Sequence, residues 1–157
     1  MKVASQDTPV YVTEKDVINQ ALAILKNRFK LCTQPMQSFE EVANYLKLSL
    51  ALEEVEHFHC LWLNSQNFLI EDERMSSGTI NASSVYPREI AKRALQINAA
   101  GVILAHNHPS GKIEPSQADK TITINLRQAL GLLDIKVVDH VIVGGTNTFS
   151  FATAGLL

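Results

Sequence analysis

The stretch Gly101-Val-Ile-Leu-Ala-His106-Asn-His108-Pro109-Ser-Gly111-Lys-Ile-Glu-Pro115-Ser116-Gln-Ala-Asp119 decides how this chain is read. Residues 102–105 are a short, unbroken apolar run, β-branched at its start, as a strand buried on both faces would be. Pro109, Ser110 and Gly111 supply turn chemistry. Pro115 or Ser116 then opens a helix that should run to about residue 132, with Gly131 near its end. Strand, turn and helix in that order are the unit of an α/β sheet, and ligands characteristically bind outside the carboxyl ends of its strands.

Working outward, Pro87 opens another helix over residues 87–99, with Ile90, Ala94, Leu95 and Ile97 on one face. Residues 135–143 read as a strand, Gly144-Gly145 as a turn, and residues 148–151 as a closing strand. Upstream, residues 58–63 (FHCLWL) and 68–70 flank a polar turn and predict a hairpin, and Gly78 marks a turn or bulge. Thr13 and Asp16 have near capping-box spacing before a helix over residues 14–29. A loop containing Pro35 follows, then Ser38 caps a second helix to about residue 49. Residues 1–12 read as an extended arm. The fold class is α/β (α+β), a mixed β-sheet flanked by helices, without internal repeats or low-complexity segments.

The chain has 157 residues, 46% hydrophobic and 19% charged, which suits one compact core. A formal net charge of −2 gives it no overall attraction to nucleic acid or anionic membranes. The cations of residues 26–30 (KNRFK) sit near a helix end, where they complement its dipole. Two cysteines, Cys32 and Cys60, make neither a disulfide framework nor a CxxC site. No signal-peptide pattern or apolar run of about 18 residues is present, so a cytoplasmic location is expected.

His106 and His108 lie two apart at the end of the apolar strand, so their side chains leave an extended backbone from one face. Asp119 falls in the first turn of the following helix, where the dipole favours its ionised form. Two imidazoles and one carboxylate leave a fourth tetrahedral position for water, the pattern of catalytic rather than structural zinc. HxH alone is weak: His57 and His59 share the spacing but sit within a predicted strand without the turn, helix cap or acid, and they read as ordinary strand positions. Ser116, three residues before Asp119, has the spacing of a helix cap.

His106-Asn-His108-Pro109 with Ser116-x-x-Asp119 resembles the JAMM motif of MPN+ metalloproteases. PREIAKRAL, AAGVILAHNHPSG, PSQAD and VVDHVIVG resemble, in order, blocks of the bacterial RadC family, from about Ser38 to the end of the chain. That resemblance implies a JAMM/MPN-like (cytidine-deaminase-like) domain over residues 38–157, with residues 1–37 as an N-terminal arm and helix. It implies zinc (Zn2+) held by His106, His108 and Asp119, and a glutamate general base. Glu56 matches that base best by position, with Glu53 and Glu54 as neighbours of the same type. It further gives Ser116 an oxyanion-binding role. The implied activity is that of a zinc metallopeptidase or isopeptidase acting on an unspecified peptide or protein. The alternative is a DNA-repair- or mobile-element-associated module that binds partners and carries a non-catalytic metal site, although no charge pattern supports direct DNA contact. A zinc nucleobase deaminase is set aside, because H-x-E and P-C-x-x-C are both missing. Asp139 and His140 resemble the family's DH block, where a supporting carboxylate or a buried, hydrogen-bonded His is the simplest expectation. Arg88 and Glu89 also resemble the family and are given no chemistry.

Overall fold

A computed structural model describes residues 12–30, 36, 38–78 and 85–157. Nearly all of the arm expected over residues 1–12, together with Cys32 and Pro35, lies outside the described residues. Five strands, β1 (His57–Leu63), β2 (Leu69–Ser77), β3 (Gly101–Asn107), β4 (Lys136–Gly144) and β5 (Asn147–Ser150), form one sheet in the order β2-β1-β3-β4-β5. β3 and β4 pair in parallel and the other neighbours antiparallel, giving the expected mixed sheet.

Helices α1 (Glu14–Lys30), α2 (Phe39–Leu50), α3 (Pro87–Gln96) and α4 (Gln117–Gly131) complete the described elements. Successive strand residues point to opposite faces, and here both faces are covered. Trp62, Val102 and Leu104 pack with Ile90 and Ala94 of α3 and Leu126 and Leu130 of α4. Leu61, Ile103 and Ala105 pack on the other side with Phe29 of α1 and Tyr45 and Leu46 of α2. That is why β3 is buried at every position and shows no polar alternation.

Three sequence expectations change in detail. The second hairpin strand extends far beyond residue 70, to Ser77, through the charged run Glu71-Asp72-Glu73-Arg74. β2 is an edge strand, where charge is tolerated and guards against edge-to-edge pairing, and each acid finds a partner. Glu71 and Glu73 accept from Arg93 of α3 at 3.2 and 2.7 Å. Asp72 turns to the other face, where the Tyr45 hydroxyl donates to it and Lys26 lies 3.6 Å away. α3 stops at Gln96, short of residue 99, because Asn98 turns left-handed with φ 53°, and Leu95 is exposed, not core-facing. Ser38 occupies the N-cap position of α2 but its side chain makes no capping bond.

β4 carries one residue more than its parallel partner. Val102 pairs with Val137 and the next residue, Ile103, pairs with Asp139, so Val138 is bulged out. A bulge moves every later side chain to the opposite face. Beyond it, Val141 and Val143 join the α1/α2 side, and His140 faces the α3/α4 side together with His106.

Candidate metal centre

β3 ends at Asn107, and the chain turns through Pro109-Ser110-Gly111 to enter α4. The turn is pinned to β4, because His108 N–H donates to the Val143 carbonyl at 2.8 Å. Gly111 adopts φ 79°, and its carbonyl lies 2.5 Å from where a Cβ on Gly144 would stand. Glycine at both positions lets the loop lie flat on the end of β4.

This return brings the helix start over the strand end. His106 Nε2 lies 2.9 Å from His108 Nε2 and 3.2 Å from Asp119 Oδ1, and His108 Nε2 lies 3.6 Å from Asp119 Oδ2. Tetrahedral zinc with bonds of about 2.0–2.1 Å would hold its ligand atoms about 3.3–3.4 Å apart, and the three separations straddle that value. One ligand atom each from Glu56, His106 and His108 also lie within 4.8 Å of one another. The donor set therefore fits a divalent cation, with the Glu56 carboxylate beside it. Glu56, His108, Ser116 and Asp119 line one open groove, with Lys112 and Glu114 on its rim.

Local bonds aim each group. His108 Nδ1–H donates to the Lys112 carbonyl at 2.8 Å, leaving Nε2 for the centre. Ser116 and Asp119 form a full capping box: Asp119 N–H donates to Ser116 Oγ at 3.1 Å, and Ser116 N–H and Oγ–H donate to Asp119 Oδ2 at 2.7 and 2.6 Å. The cap holds the carboxylate by Oδ2 and turns Oδ1 toward His106. Burial pushes the Asp119 carboxyl upward, but the His106 and His108 imidazoles beside it outweigh burial and hold it well below the usual carboxylate range. The Asp119 hydrogen bond, opposed by partial burial, raises His108.

Two residues the sequence did not single out complete the site. Asn107 is 2% exposed and points away from the two histidines flanking it. Its Oδ1 accepts His57 N–H at 2.8 Å, and its Nδ2 donates to the carbonyls of Val55 and Glu53 at 3.0 and 3.2 Å. Gly78 N–H donates to the Glu56 carbonyl at 2.8 Å. The backbone on both sides of Glu56 is thus stapled to the end of β3. Thr123, one turn after Asp119 on α4, bonds both the Asp119 carbonyl and His140 Nδ1, the latter at 2.6 Å, and His140 Nε2 lies 2.9 Å from His106 Nδ1. The only signals for these residues were alternation beyond His106 and the i+4 spacing from Asp119.

The other expected residues separate clearly. Asp139 turns away from the histidines to accept from His140 N–H, Ala152 N–H and Ser150 Oγ–H at 2.7, 2.9 and 2.6 Å, tying β4 to the turn after β5. His57 and His59 stay outside the cluster, but each meets an acid: His57 Nε2 lies 3.2 Å from Glu53 and His59 Nδ1 lies 2.8 Å from Asp72. Arg88 pairs with its neighbour Glu89 at 3.3 Å on the surface.

Fold and site together define an α/β domain with a His, His and carboxylate cluster at the carboxyl end of its central strand. Residues 36–156 match the family model described as RadC-like JAB domain. The chain is 50% identical to UPF0758 protein YfjY of Escherichia coli (strain K12) over 151 residues, 96% of this chain and 94% of that one. It is likewise 50% identical to UPF0758 protein YeeS of the same strain over 92% of this chain and 97% of that one. It is 55% identical to a UPF0758 protein of Thiobacillus denitrificans over 74% of this chain and 52% of that longer one. This chain belongs to the RadC family, and its five-stranded mixed sheet is a JAB/MPN-like α/β fold. Among the described residues no helix is long and apolar enough to cross a membrane.

Proposed function

We propose that the chain is a zinc-dependent metallohydrolase that cleaves peptide or isopeptide bonds in a protein or peptide substrate in the cytoplasm. The observation that carries this reading is the convergence of His106, His108 and Asp119 at one point, with Glu56 beside it in an open groove. A zinc ion there would act as a Lewis acid and lower the pKa of water at its open position to about 7.

This chain's residues supply the rest. Glu56 takes the proton of the attacking water and delivers it to the leaving amine, so one carboxylate serves as base and then acid. Ser116 gives its hydroxyl proton to Asp119 in the structure; rotation about Cβ–Oγ lets the same proton meet the oxyanion of the tetrahedral intermediate. The open groove suits an extended chain better than a small enclosed ligand.

The test begins with metal-stripped protein titrated with zinc, expected to bind one equivalent, and with H106A and D119A expected to bind none. E56Q should keep the zinc and lose cleavage across a library of peptides and lysine isopeptides. Reloaded wild-type protein that takes up no zinc overturns the proposal, and so does an E56Q variant that cleaves as fast as wild type.

A further inference from the structure

We propose that Thr123 and His140 are positioning residues: they form a chain of ordered hydrogen bonds that holds the His106 proton on Nδ1 and so keeps Nε2 bare toward the metal position. The inference rests on the reading of His106 as a ligand, and deepens it.

Proton counting sets the direction of each bond. The Asp119 carbonyl can only accept, so the single proton of the Thr123 hydroxyl, in close contact with it, lies between the two oxygens. Thr123 Oγ must then accept from His140, 2.6 Å away, which puts a proton on His140 Nδ1. The His140 ring is fully buried, packed 4.7 Å from the Phe151 ring and 5.7 Å from that of Phe58. Among the described residues no carboxylate hydrogen-bonds the ring, and a buried imidazole in such surroundings stays neutral, so Nε2 carries a lone pair. His106 Nδ1, at 2.9 Å, has to donate to that lone pair. The atom left bare is His106 Nε2, the one that faces His108 and Asp119.

The chain of bonds begins at the carbonyl of Asp119 and ends on the His106 ring, so it couples two ligands of the same centre. The β4 bulge makes it possible, because it turns His140 to the His106 side of the sheet. Partners of this kind are worth about 10–100-fold in metal affinity, since a free imidazole divides itself between two tautomers and many ring orientations.

The experiment compares Thr123→Val, Thr123→Ser and His140→Gln with wild type. Valine keeps the size of threonine and removes the hydroxyl, whereas serine keeps the hydroxyl and opens a methyl-sized gap. Packing alone ranks valine above serine, and the proton chain ranks serine above valine. Zinc titration against a chromogenic chelator should show T123V binding about 10–100-fold more weakly and T123S unchanged. H140Q, whose amide can accept from His106 and donate to Thr123, should fall between them. Long-range nitrogen–proton NMR spectra of metal-free protein should place the His106 proton on Nδ1 in wild type and T123S, and show mixed tautomers in T123V. A wild-type His106 protonated on Nε2, or T123V binding zinc as tightly as wild type, overturns the proposal. Wild-type protein that binds no zinc overturns the metal reading instead, and the tautomer spectrum still decides this one.

Discussion

Replacing Asn107 with alanine tests whether the segment carrying Glu56 is held from the end of β3. The substitution removes the bonds from Asn107 to His57 N–H, Val55 O and Glu53 O. The His57 amide is buried and would be orphaned, at about 1–3 kcal/mol, while the two carbonyls sit beside exposed residues, can recover water, and lose about 0.5–1.5 kcal/mol each. The expected loss is about 3 kcal/mol, seen as a lower urea midpoint with an unchanged slope, or a fall in Tm of roughly 6–12 °C for a chain of this size. Asn107→Asp should do no better, since it keeps an acceptor for His57 but sets a carboxylate against two carbonyls. Amide hydrogen exchange at His57 should accelerate in both variants. A loss below about 1 kcal/mol with unchanged exchange at His57 would refute the account of Asn107 as the staple.

Acid should destabilise the metal-free protein through His140. Burial holds its folded-state pKa well below the ordinary value, so the unfolded chain binds an extra proton once the pH falls below about 6.5 and stability drops by up to about 1.4 kcal/mol per pH unit. Urea midpoints between pH 7 and 5 should show this slope, and H140Q should flatten it. His108 has the opposite sign: with its pKa raised by Asp119, its stabilisation is complete below the unfolded value and is lost as the pH rises through the folded one. Zinc must displace that proton, so zinc affinity should fall with decreasing pH in a competition titration. Gly144→Ala places a methyl 2.5 Å from the Gly111 carbonyl and 2.8 Å from Ile113. The loop has to lift, taking the Lys112 carbonyl away from His108, and zinc affinity should fall about 10–100-fold; unchanged affinity would show that the close approach is not needed.

The central strand, turn and helix were legible because each carries its own local chemistry: a run of apolar residues, Pro-Ser-Gly, and a Pro-Ser start. What local sequence cannot encode is the neighbour across space. Thr13 and Asp16 make the same kind of cap as Ser116 and Asp119, with Thr13 N–H and Oγ–H donating to Asp16 at 2.9 and 2.6 Å. One carboxylate ends in solvent and the other against two imidazoles, and only the strand beneath α4 makes the difference. His59 read as an ordinary strand residue because its acid, Asp72, stands on the next strand, inside a charged run that hides a strand. Asn107 was masked by its position between two stronger residues, and Thr123 by looking like any helix threonine. The bulge at Val138 left no trace, since neither glycine nor proline marks it.

That single unpaired valine makes the register of β4 as consequential as its composition. Were Val138 instead to pair with Ile103, every later residue of β4 would slip by one and Asp139 and His140 would exchange faces, delivering a carboxylate to the His106 side and turning the imidazole away. No side chain of the centre would be altered, yet its supporting partner would be gone. Deleting Val138, by contrast, should leave the centre intact, since Val137 and Asp139 already stand opposite the consecutive residues Val102 and Ile103.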